Sequence, residues 1–202
     1  MEEVPRFLAK MRELYPQFFA ITALGFATGL RPSSLRPLRR QGDEPDVVWD
    51  ENILLVRRSQ TIGDEVMNTT KTKKRQRIFL PGDLMNVLRW HTKHLRWRKA
   101  RSSDLLFPSK LGTFLARSVL DRPFQDVAEK LGLRRNLSPR AMRRTYQDLA
   151  RAAEVRDLVA RSISGHATEA MQEHYSTVQI EEMRASIGKI ISIAKVREAL
   201  AA

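Results

Sequence analysis

The side chains best placed for chemistry are four bases and a phenol. Gly165-His166 is followed at short range by Tyr175, and Arg140, Arg143 and Arg144 lie one expected helix upstream. A phenol with a free pKa of about 10 is a weak nucleophile near neutral pH and needs neighbouring positive charge to react. Arginines supply that charge. A planar guanidinium fork also holds two non-bridging phosphate oxygens at once as charge builds on them. The stretch from Ser138 to Tyr175 therefore has the groups to attack a phosphodiester with a tyrosine hydroxyl. Of the three tyrosines, Tyr15 and Tyr146 fall at helical positions that packing explains, and only Tyr175 falls in a segment expected to be exposed behind a histidine.

Other chemistries are poorly supplied. His91 and His94 are three apart on one expected helix, but the chain has no cysteine and no paired acidic ligands accompany them. A structural or phosphate-contacting role is favoured over zinc. Asp43, Glu44, Asp46, Asp50 and Glu51 cluster ahead of the expected strands and read as a solvated linker, not a magnesium site. We expect neither metal nor cofactor. Without cysteine there is no disulfide framework, which agrees with a cytoplasmic location.

The chain's 202 residues, 42% of them hydrophobic, can supply the core of one globular domain. The formal net charge of +13 marks a polyanion as the partner, with nucleic acid as the first choice. An anionic membrane is the alternative, but the longest nearly apolar run, Phe18 to Leu30, has about 13 residues, too few to span a bilayer. The start, Met1-Glu2-Glu3, is acidic and lacks a signal-peptide n-region.

The elements that must position these groups follow from periodicity. Phe7, Leu8, Met11 and Leu14 predict a helix over residues 5–15, and Pro16 opens a second, nearly all-apolar helix ending near Gly29. Asn52–Gln60, Glu65–Thr69 and Arg75–Leu80 read as three short strands, with a polar turn from Thr70 to Lys74 between the last two. A helix from about residue 83 to Lys99 is expected, with others at roughly 114–132, 138–153, 155–163 and 168–175. A last helix, about 180–200, carries an apolar stripe of Ile180, Met183, Ile187, Ile190, Ile191 and Ala194 that needs a partner in cis or on another molecule. The expectation is one mostly helical α+β domain over residues 1–202 with a small three-stranded antiparallel sheet.

Thr28-Gly29-Leu30-Arg31, Thr70-Lys71-Thr72, Arg140-Ala141-Met142-Arg143, Gly165-His166 and Tyr175 occur in an order and approximate spacing that resembles the tyrosine recombinase (phage integrase) catalytic domain. The likeness runs from about residue 10 to residue 180. It implies Arg31 and Arg143 as phosphate clamps, Lys71 as the general acid for the leaving 5′ oxygen, His166 as a phosphate-contacting or proton-transferring group, and Tyr175 as the nucleophile of a 3′-phosphotyrosyl intermediate. Arg140 stands where the family usually has histidine; an arginine holds a phosphate but cannot act as a base. Ser33-Ser34 replaces the usual Ser-Glu. The resemblance further implies double-stranded DNA as partner and a homotetramer on two duplexes, with a C-terminal helix on a neighbouring protomer. No segment before residue 5 is large enough for the family's N-terminal DNA-clamping domain. Three readings follow: site-specific strand exchange, a DNA-binding module with a decayed site, and type IB topoisomerase-like relaxation.

Overall fold

Helix α1 (Glu3–Leu14) buries Val4, Phe7, Leu8 and Met11, the i, i+3, i+4, i+7 stripe of an amphipathic helix. Helix α2 (Pro16–Thr28) has no polar face and is buried throughout from Phe19 to Thr28. It is the axle of the fold, packed against α1, α4 and α7. The computed structural model describes residues 3–61, 65–68, 75–133, 137–165, 180–195 and 198–199. The remaining elements are α3 (Pro32–Leu35), β1 (Val47–Val48), β2 (Ile53–Val56), β3 (Ser59–Gln60), β4 (Val66–Met67), β5 (Gln76–Phe79), α4 (Gly82–Lys93), α5 (Arg98–Arg101), α6 (Asp121–Lys130), α7 (Ala141–Ala152), α8 (Asp157–Ser164) and α9 (Ile180–Ile193). The expected mostly helical α+β class is what the described residues form.

The core gathers around α2. Phe7 meets Phe26 edge-on at 5.8 Å and Phe124 at 5.0 Å, while Phe19 meets Trp90 at 5.6 Å. Gly25 admits α7: a Cβ there would stand 2.4 Å from the Met142 sulfur. Gly29 ends α2 in the left-handed region (φ 63°), its N–H donating to the Gly25 carbonyl. A Cβ at Gly29 would collide with the Tyr146 ring at 2.5 Å.

The three-stranded antiparallel sheet is present, with different members from those expected. Its order is β1-β2-β5, with Val47 opposite Leu54 and Leu54 opposite Ile78. The expected single strand from Asn52 to Gln60 breaks at Arg57-Arg58. Its second part, β3, pairs only with β4, as Gln60 opposite Val66. The cause is Asp46, which is 1% exposed and not part of a solvated linker. Its carboxylate accepts from Arg57 Nε at 3.0 Å, Arg58 Nη1 at 2.8 Å and the Arg39 N–H at 2.9 Å. Holding two successive arginines against one buried carboxylate turns the chain, and the same anchor brings Val47 alongside β2. Asp43, Glu44, Asp50 and Glu51 are exposed as expected.

Two expected helices are shorter. α4 stops at Lys93, where the His94 ring takes the Trp90 carbonyl at 2.7 Å and stacks on the Trp90 ring at 4.7 Å. α6 begins at Asp121, because Pro123 lacks an N–H and belongs to a first turn. The expected helix at 168–175 lies outside the described residues. α9 buries Met183, Ile187, Ile190, Ile191 and Ala194 against α7, α8, α2 and β5 of its own chain. Arg12 reinforces this end of the molecule, donating Nη1 to the Ala199 carbonyl at 2.6 Å. No helix among the described residues is long and apolar enough to cross a membrane.

Candidate functional site

The left-handed cap at Gly29 redirects the chain so that Leu30 enters the core, 2% exposed, and Arg31 emerges as the extended N-cap of α3 (φ −67°, ψ 142°). Pro32 then starts α3 in its favoured position. Arg31 is half-buried and makes no side-chain hydrogen bond among the described residues.

Arg143 sits in the first turn of α7 and is anchored. Its Nη1 donates to the Gly29 carbonyl at 2.8 Å and to the Ser164 carbonyl at 2.5 Å. Those are carbonyls at the C-terminal ends of α2 and α8, where the helix dipoles favour a cation. Burial, with the nearby Arg31 charge adding to it, lowers the Arg143 pKa to about 10. It stays charged at neutral pH, and the Arg31 effect places the two guanidinium groups within electrostatic reach of each other. Arg140 is the N-cap residue of α7 and is exposed.

These three arginines line one cleft of about 850 Å³, together with Arg36, Arg117, Gln60, Thr61, Gln125, the Leu137–Pro139 loop and a single carboxylate, Asp121. Five guanidinium groups against one acid make an anion site. Arg144 is exposed and is not among the cleft-lining residues. Arg36, Gln60, Arg117 and Gln125 were not singled out by sequence reasoning. They come from segments far apart in the chain, and the one available signal was Arg36, a charge set between the apolar Leu35 and Leu38 of a core segment.

Lys71, His166 and Tyr175 lie outside the described residues. Their described neighbours meet: Gln76 of β5, shortly after Lys71, donates Nε2 to the Ser162 and Ile163 carbonyls at 2.8 and 3.2 Å. Gly165, next to His166, caps α8 in the left-handed region (φ 65°). There a Cβ would stand 2.6 Å from the Gln76 Oε1.

The other tyrosines are engaged elsewhere. Tyr146 is fully buried, with its hydroxyl donating to the Ala160 carbonyl at 3.1 Å, and burial pushes its phenol well above the usual range. Tyr15 donates to Asp126, and that hydrogen bond raises its pKa too. His91 is a core residue: its Nε2 donates to the Leu106 carbonyl at 3.1 Å and its ring packs on Phe107.

A family model described as the Phage integrase family matches residues 1–182. No match was found among curated proteins. Among solved structures, the fold is similar to the Tn1549 transposon integrase in complex with circular intermediate DNA (TM-score 0.65, 18% identity, 91% of this chain and 64% of that one). It is similar to the XerH site-specific recombinase bound to difH substrate (TM-score 0.56, 18% identity, 83% of this chain and 46% of that one). The XerA recombinase also matches (TM-score 0.53, 18% identity, 96% of this chain and 63% of that one). The chain thus spans less than two thirds of the length of each of these structures.

Proposed function

The chain belongs to the Phage integrase family, and from that membership we propose that it performs site-specific recombination of double-stranded DNA by cutting and rejoining strands through Tyr175. The observation that carries the reading is the convergence of Arg31, Arg140 and Arg143 on one basic cleft. The DNA complexes of the similar integrase and recombinase structures support duplex DNA as the ligand.

In the proposed reaction the Tyr175 oxygen attacks phosphorus and forms a 3′-phosphotyrosyl bond while the bond from phosphorus to the 5′ oxygen breaks. Lys71 gives its proton to the leaving 5′ oxygen. The phenol proton leaves to His166 or water, since Arg140 has no basic site to receive it. Arg31, Arg143 and Arg140 balance the charge on the non-bridging oxygens. A 5′ hydroxyl reverses the step, so the energy of the broken bond is kept and no high-energy cofactor is used. The working assembly is a homotetramer on DNA, in the cytoplasm.

Incubation with a nicked duplex that traps the cleaved strand, followed by denaturing electrophoresis, tests the reading. We expect a covalent adduct with the wild-type protein and none with Tyr175→Phe. Arg140 and Ser34 favour one competing reading, a DNA-binding module that has lost catalysis. Salt-sensitive binding with no adduct on any duplex would establish that reading instead.

A further inference from the structure

Arg36 is 3% exposed, yet it lines the same cleft as Arg31 and Arg143. It is the C-terminal cap residue of α3, the helix that Arg31 begins. Leu35 and Leu38 around it enter the core, and burying a guanidinium between them costs desolvation that an apolar side chain would avoid.

The chain's other deeply buried arginine shows how such a charge is handled for structure alone. Arg58 is met by two carboxylates, Asp46 and Glu44. Arg36 is held differently. Its Nε donates to the Gln60 side-chain carbonyl, while the Gln60 Nε2 donates to the Leu115 carbonyl at 3.2 Å. The Leu115 contact fixes which end of the amide faces Arg36, and a neutral amide orients a guanidinium without cancelling its charge. The same chain of hydrogen bonds fixes the segment that carries Arg117, an exposed arginine also lining the cleft.

A cleft of about 850 Å³ has the capacity of a whole small-molecule site, well beyond one phosphate group, and a nucleic-acid strand brings a phosphate with every nucleotide. We propose that Arg36 and Arg117 form a second phosphate subsite in this cleft, which takes a phosphodiester neighbouring the one held by Arg31, Arg140 and Arg143, and that Gln60 aims Arg36 at it. The inference rests on the reading of DNA as ligand. It adds residues that grip the strand beside the reacting phosphorus.

The test is fluorescence anisotropy of a short duplex across a salt series, with thermal melts to check folding. Gln60→Glu places a carboxylate on Arg36, and Arg117→Gln removes an exposed charge; each is expected to flatten the log–log salt slope by about 0.9 and to weaken binding roughly tenfold at low salt. Arg36→Lys, which keeps the charge, should retain the slope. Unchanged slopes in folded Gln60→Glu and Arg117→Gln proteins overturn the subsite, whatever the fate of Arg36 variants that fail to fold. The adduct assay separates the two ideas: flattened slopes with no wild-type adduct keep the subsite and remove strand cleavage, whereas a wild-type adduct with unchanged slopes does the reverse.

Discussion

Arg31 and Arg143 share a cleft but not a structural burden. Arg143 bonds the Gly29 and Ser164 carbonyls, so Arg143→Gln leaves those acceptors short and should cost about 1–3 kcal/mol of stability as well as strand cleavage. Arg31, with no such bonds among the described residues, is expected to lose cleavage on substitution by Gln without a lowered melting temperature. Parallel melts and adduct assays on the two proteins check the contrast. His91 offers a second measurement at this scale. Burial holds its pKa down at about 4, so it folds as the neutral imidazole, and between that value and about 6.5 the unfolded chain binds the extra proton. Its contribution is therefore fully present above about pH 6.5 and is lost as pH falls through 4, on the order of 3 kcal/mol in all. Melts across that window should show the decline, and His91→Gln should reduce its steepness.

At the scale of elements, the bend between β2 and β3 depends on a buried carboxylate. Asp46→Ala strands Arg58, 5% exposed, against Glu44 alone, and is predicted to cost about 3–5 kcal/mol in denaturant unfolding. A loss below about 1 kcal/mol, typical of exposed pairs, would show that the pair is effectively solvated. Asp46 also marks where sequence reading stopped. It is one of five acids in a polar segment, and nothing local distinguishes the one that is buried. The helices α1, α2, α7, α8 and α9 were legible because a 3.6-residue apolar period identifies both an element and its inner face. Strand partners were not, since a period of two reports which face is buried and says nothing about which strand lies alongside. Arg31, Arg140 and Arg143 were legible from motif order, whereas Arg36, Gln60 and Arg117 meet only through tertiary packing.

For the whole molecule, the question left open by sequence was which surface covers the apolar stripe of α9. It lies on its own chain, with Ile187 and Ile190 fully buried. Ile187→Ala should then destabilise the protein by about 2–5 kcal/mol, by the same amount at every protein concentration. A loss that grew on dilution would instead mean that the stripe is covered by a second copy. The net charge of +13 is likewise a property of the whole, drawing a polyanion towards the cleft over a distance set by ionic strength.

The depressed pKa of Arg143 has a cost for the resting protein. Two like charges that lower each other's proton affinity also repel, and the fold bears that repulsion so that a transferring phosphoryl group finds its cations already placed. Stability and activity are in opposition at this point: Arg31→Gln should leave a dead protein that melts above the wild type, as expected where a site is kept ready at the expense of the scaffold that carries it.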